Sequence, residues 1–470
     1  MFRLAANPLV ISALLLALLI GLTWRGGASK DIEVGAHRTQ AGHAFHYMQM
    51  PKAKEVTIIL AWPHDWLDRG GAVAVPHVGT DLLLNDGAGE RDAATMAADF
   101  QDLNAIGNLY ATPDHVVGRL RVVPANLVKA AEIARDVLVS PHLDDRWRKR
   151  LQRNLKADLL QNQQRLQTET WDTINRFVLG DAPLNGFHSM QPASLYDDVT
   201  TEDIKAWHAE TFVTDSIKIA AAGPLKPAVV ADAIDRLLDG VPAKAADDGN
   251  QGDATRPDIR FVGKTILLEK PDTEKSLITV VGQIPSTREP GHLLDRFPRH
   301  ILGSGLNSRL SDAVRNQLRA SYAIGAGIDK YDRNTRLIYL PCEVDTDRLE
   351  DAYAAFRETY ETLRTGAITE EEFERVKEVL IANVTEARKK PRQMARTLMN
   401  FLLDDDPLTN RTGELPEVID AITLDEVNAS LSERLPAFDD MISIVATSKG
   451  DAIDADCVIS SFAEADRCHE

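Results

Sequence analysis

Cysteine is scarce in this chain. Only Cys342, Cys457 and Cys468 occur in 470 residues, and no spacing among them resembles a zinc knuckle. Cys342 lies inside a strand pattern and reads as a core residue rather than a nucleophile. Cys457 and Cys468 sit close together near the C-terminus, where they either pair and tie down the tail or remain two unpaired thiols. Positive charge is also in deficit: 53 Lys and Arg stand against 71 Asp and Glu, a net charge of −18. Such a surface repels phosphates, and no basic stripe with interleaved aromatics stands out along the chain. Nucleic acid is excluded as a partner. Disorder is not the default either, because 44% hydrophobic and 26% charged residues are ordinary globular values.

Long apolar runs are absent with one exception. Residues 4–24, LAANPLVISALLLALLIGLTW, carry no charge and are flanked by Arg3, Arg25 and Lys30. At about 1.5 Å per residue the run reaches roughly 30 Å, the depth of a bilayer's hydrocarbon. Residues 1–30 are therefore read as an N-terminal transmembrane anchor, with the globular part in the periplasm. The alternative is a cleaved signal segment leaving a soluble periplasmic protein, for which Gly26-Gly27-Ala28 is a weak processing site.

The rest is too long for one ordinary core and suggests two domains of roughly 200 residues. Residues 30–43 are polar and read as a tether. HAFHYMQMP, EVTIILAW, 109–124 and 217–222 read as strands, whereas 91–104, 126–139, 144–168 and 225–239 read as helices. Residues 243–258, AKAADDGNQGDATRPD, have almost no large apolar side chain and read as a linker. The same order then recurs about 222 residues on. TILLEK and SLITVVGQI are strands. Residues 306–318 are a helix with Leu306, Leu310, Val314 and Leu318 on one stripe. SYAIGAGI is a strand with Tyr322, Ile324, Ala326 and Ile328 on one side. The fold class is α+β, two duplicated sandwich domains of antiparallel-rich sheet and helices, over 31–242 and 259–470.

Several landmarks point further: GAGERDAATMAADFQDLNA, YATPDHVVGRLRVVPANL, LVSPHLDD and PLNGF in the first half, with LGSGLNSRLSDAVRNQLRASYAIGAG, DDDPLT and ITLDEVNASL in the second. In their order and spacing the chain resembles the insulinase/pitrilysin-like metallopeptidases, the inverzincins, over essentially all of 40–450. The resemblance implies two α+β domains facing each other as a clam around a chamber for unfolded peptide.

That family's metal motif is H-x-x-E-H on a helix, with a further Glu some 75 residues on. Two imidazoles one turn apart and a distant carboxylate hold zinc with one position open, and the motif's Glu is the general base. The corresponding stretch here is His77-Val78-Gly79-Thr80-Asp81, and the distant carboxylate falls at Asp158. Neither this register nor the one shifted by a residue, Val78-Gly79-Thr80-Asp81-Leu82, gives two histidines or a Glu beside a His. The metal positions His77, Asp81 and Asp158 are degenerate, and no cofactor is expected in this chain.

The second half keeps what the first half lacks. The resemblance assigns Arg315 to the backbone of bound peptide and Tyr322 to the oxyanion forming at the scissile carbonyl. A guanidinium fork and an aimed phenol hydroxyl suit those tasks. What the resemblance implies is a zinc-lacking subunit, inactive alone, that forms a heterodimer with a zinc-bearing H-x-x-E-H homologue and cleaves unfolded peptides. The alternative is a non-catalytic scaffold or peptide-binding protein of the same fold, as among the core proteins of respiratory complexes.

Overall fold

The computed structural model describes residues 32–469 except 64, 69, 190, 191, 245–258, 260 and 272, and for Tyr322 the backbone alone. The expected anchor at 4–24 and nearly all of the expected linker lie outside the described residues. Among the described residues no helix is long and apolar enough to cross a membrane.

Two sheets organise the chain. The first contains β1 (Glu33–Arg38), β2 (Ala44–Gln49), β3 (Val56–Pro63), β4 (Ile106–Ala111), β5 (His115–Val122) and β6 (Lys218–Gly223), in the order β1-β2-β6-β3-β5-β4. The second contains β7 (Lys264–Glu269), β8 (Lys275–Ile284), β9 (Ser321–Ile324), β10 (Gly327–Lys330), β11 (Arg336–Asp345), β12 (Ile442–Thr447) and β13 (Cys457–Ile459). Its order is β10-β11-β8-β12-β7-β13, with β9 also on β11. The pairings repeat. β3 runs antiparallel to β5 and β6 while β6 is parallel to β2; β8 runs antiparallel to β11 and β12 while β12 is parallel to β7. The four central strands of the two sheets thus share one pairing pattern, whereas the outer strands beside β2 and β7 differ: β1 runs antiparallel to β2 and β13 parallel to β7.

The principal helices are α1 (Ala74–Asn85), α2 (Ala93–Asp102), α3 (Leu127–Val139), α4 (Asp145–Gln163), α5 (Leu166–Leu179), α6 (Thr201–Thr211), α7 (Pro227–Leu238), α8 (Arg296–Gly303), α9 (Leu349–Thr365), α10 (Glu370–Ala387), α11 (Pro391–Leu403) and α12 (Leu424–Arg434). Side-chain capping sets several of their starts. The Thr200–Asp203, Thr369–Glu372 and Thr423–Glu426 pairs are reciprocal capping boxes that satisfy the first free N–H groups of α6, α10 and α12.

Each half lends a helix to the other half's sheet. On one face of the first sheet lie α1, α3, α6 and α7. Its other face, with Met48, Ile59, Val117, Ala220 and Ala222, is covered by Met394, Ala395, Leu398 and Met399 of α11. Reciprocally, Ile174 and Phe177 of α5 share one buried cluster with Ile266, Leu268, Val281 and Ile444 of the second sheet. Polar contacts lock the exchange: Tyr331 Oη donates to Asn175 Oδ1 at 2.7 Å, and Lys270 Nζ to Glu169 Oε1 at 2.5 Å. Arg333 reaches Asp114 at 3.1 Å.

Four expectations need correction. The two halves do not enclose a chamber: one continuous apolar core runs between them. The tether at 30–43 is in part an edge strand, β1, because the turn after α11 lies against it and Ile32 and Val34 pack into the same cluster as α11. The helix expected over 144–168 ends at Gln163, and α5 starts afresh at Leu166. Leu306 is not on a buried stripe but 64% exposed, while Leu310 and Val314 are buried. Gly305, at φ +84°, takes the chain out of helical geometry there.

Leu398, 0% exposed, sits at the centre of the exchange. Leu398→Ala is expected to lower stability by about 2–5 kcal/mol, and denaturant unfolding of the soluble chain measures it.

Candidate functional site

The second sheet's outer strand is interrupted where the sequence suggested one continuous run. β9 and β10 both pair with β11 and are separated at Gly325-Ala326. The end of α8 causes the break: a Cβ on Gly303 would lie 2.2 Å from the Ala326 nitrogen. The pairing of β9 also slips between Glu343 and Val344, because Glu343 faces Ala323 and Val344 faces Ser321. Tyr322 is therefore the extra residue of a β-bulge, an interruption over-represented at sheet edges.

Arg315 stands beside this edge. It belongs to Ser311–Gln317, a segment with π-helical pairing, a conformation that collects at functional sites. Arg315 is half-buried and makes no ion pair or hydrogen bond among the described residues. With Gly305, Leu306, Ala323, Ile324 and Gly325 it lines a cavity of about 540 Å³, to which Leu166 and Gln167 of α5 add a wall from the first half. An unpartnered guanidinium, an interrupted edge strand and an apolar lip together form a groove able to take an extended backbone.

A second arginine, not singled out by the sequence reading, holds this groove in shape. Arg309 forks onto Glu372, with both N···O distances 2.7 Å, and donates to the Ala367 carbonyl at 3.1 Å. Glu372 also caps α10. The hydrogen bond from Arg309 and the capping contacts hold its carboxyl at about 2. The visible signal was Thr-x-x-Glu; nothing in the sequence showed that the same Glu also anchors Arg309.

The degenerate metal positions do not assemble. His77, on α1, packs edge-on against Phe187 with ring centroids 4.7 Å apart, and burial pushes its imidazole down to about 4. Burial raises Asp81, one turn on. Asp158 is exposed on α4. Among the described residues no group of three His, Cys, Asp or Glu could hold a metal ion. A zinc ion does not fit this donor set. Gly79 has its own reason to be in α1: a Cβ there would lie 2.4 Å from the ring of Trp207, which is 0% exposed.

Cys457 and Cys468 form a disulfide with Cα atoms 5.4 Å apart, and Cys342 is free and buried. Burial pushes the Cys342 thiol up to about 12, which suits a core residue and not a nucleophile.

Because Glu372 is depressed when folded, its ionised form stabilises the fold above the ordinary glutamate range, and that contribution is lost as pH falls toward about 2. Glu372→Gln is expected to cost about 2–3 kcal/mol at neutral pH and little at the acid end. Unfolding at both pH values tests this.

Known proteins share this fold. The chain is 21% identical over 305 residues to an uncharacterized zinc protease of Rickettsia felis, covering 65% of this chain and 71% of that one. It superimposes with a TM-score of 0.78, at 17% identity, on the crystal structure of a peptidase M16 inactive domain from Pseudomonas fluorescens, covering 88% of this chain and 98% of the other. With the periplasmic protease PqqL of Escherichia coli the TM-score is 0.68 at 14% identity, over 93% of this chain but 50% of that one. Residues 198–380 of this chain match the family described as the peptidase M16 inactive domain.

Proposed function

We propose that this chain is the zinc-lacking member of a two-subunit peptidase. It pairs with an H-x-x-E-H homologue that binds the zinc and supplies Arg315 and Tyr322 to a shared site for unfolded peptide. The observation that carries this reading is the groove at β9: among the described residues Arg315 has no partner beside an edge strand bulged at Tyr322, and His77, Asp81 and Asp158 form no metal site. Transition-state help without a metal is chemically complete only next to a metal held by another chain. The continuous core between the two halves also favours a partner, since a chamber then needs a second body. PqqL, of which this chain covers half, shows a single chain long enough to contain two such bodies.

In this role the Arg315 guanidinium donates to substrate carbonyls and the Tyr322 hydroxyl donates to the oxyanion as it forms. Peptide adds as a strand along β9 and β10, or along the other free edge at β4. The division into domains at 31–242 and 259–470, the anchor at 1–30 and a periplasmic location belong to the same reading. The Cys457–Cys468 disulfide supports an exported environment.

The second reading is a peptide-binding scaffold of the same fold, for which the match to an inactive domain speaks. Purified alone, the soluble chain is expected to hold no stoichiometric zinc and to cleave no peptide; mixed with the zinc-bearing homologue, it is expected to restore cleavage. Tyr322→Phe in the pair should lower kcat by about 100- to 1,000-fold, the scale of one oxyanion donor. Cleavage by the lone chain, or a pair indifferent to Tyr322→Phe, refutes the subunit reading. Peptide bound but never cut in the pair selects the scaffold.

A further inference from the structure

A second feature lies on the first sheet, outside the Arg315 groove. Val117 of β5 packs under α11 with Met394 and Ala395. Alternate strand residues share a face, so Arg119 and Arg121 line the same side of the sheet, opposite Asn108 and Ile106 of β4. Arg392 and Arg396, one turn apart and both exposed, extend the row from α11. Four guanidinium groups from two halves of the chain thus meet at the outermost strand of the sheet.

Little neutralises them. Arg121 has a distant partner in Glu55 at 3.8 Å. Arg119 donates to the neutral Asn108 Oδ1 at 2.5 Å. Arg392 and Arg396 have no carboxylate partner among the described residues. Burial, and then repulsion led by Arg392, hold Arg119 below the usual arginine range. Like charges one helical turn apart repel, and this row stands on a chain of net charge −18. Acidic residues are abundant on this chain, yet among the described residues Glu55 alone answers the row.

The ligand's shape follows from the strand beside the row. Among the described residues β4 pairs only with β5, so its other edge is free. Ile106 and Tyr110, 45% and 46% exposed, present apolar surface along it. Arg119 and Arg121 repeat at the two-residue period of an extended chain, roughly 6.6–6.8 Å. A single compact anion meets one or two such groups, whereas an extended chain with carboxylates at alternate positions meets the whole row.

We infer that this face binds an extended acidic peptide segment, laid beside β4 with its carboxylates on Arg119, Arg121, Arg392 and Arg396. The inference rests on the peptide-binding reading of the β4 edge above and adds the charge of the segment bound, whether or not that segment is cut. The test is fluorescence anisotropy on the full soluble chain, with a labelled peptide alternating glutamate and threonine and a counterpart with glutamine in place of glutamate. The acidic peptide is expected to bind about tenfold tighter at low salt, with the advantage fading as ionic strength passes about 0.1 M. The exposed double substitution Arg392→Gln/Arg396→Gln should abolish the advantage without changing thermal unfolding, and Arg146→Gln/Arg153→Gln on α4 should preserve it. Equal binding of the two peptides overturns the inference. So does equal loss in both double variants, or binding to anionic lipid vesicles with no binding of peptide.

Discussion

The exchange of α5 and α11 between the two halves is the constraint on which the rest depends. A sheet with apolar residues on both faces needs two covers, and each half supplies only one for itself. Without α11, Met48, Ile59 and Val117 would face water; without α5, so would part of the second sheet. The hydrophobic effect penalises such exposure by roughly 25 cal/mol per Å² of apolar surface. The small residues Ala220 and Ala222 on β6 let α11 approach closely. The two halves are therefore one folding unit in energetic terms, although the central strands of their sheets share one pairing pattern.

The exchange also positions chemistry. Leu166 and Gln167 at the start of α5 wall the groove that contains Arg315. Arg392 and Arg396 ride on α11 to the edge of the first sheet. Each open edge thus carries side chains from the opposite half, and the two edges have diverged. β9 is bulged and stands beside an unpartnered arginine, whereas β4 is regular and stands beside a row of arginines.

Aromatic packing occupies the place where a metal centre would need convergent donors. Phe187 takes the edge of His77 and Trp207 packs against Gly79. A metal site needs at least three donors around a vacant position; α1 offers one imidazole and one carboxylate raised by burial, with the third candidate on an exposed surface. The half-site left on the second sheet remains ordered by Arg309 and Glu372, whose paired charges fix the segment before Arg315.

Local chemistry was legible in order of residue type. Strand and helix periodicities named most elements, because apolar spacing reports the face an element will bury. The absence of a second histidine near His77 marked the metal motif as degenerate. The tether that became β1, the helix that broke at Gln163, the bulge at Tyr322 and the strand interrupted at Gly325 were not legible. Each is imposed by a distant neighbour: the turn after α11, the packing of α5 on the second sheet, the register on β11, the close approach of Gly303. The charge row is the clearest case. Arg119 and Arg121 are far in sequence from Arg392 and Arg396, and the chain as a whole is acidic, so no window of residues reveals them together. Composition and periodicity decide what each segment buries. Only the exchanged helix decides which charges are neighbours, because burial of its apolar face sets where its polar face must lie.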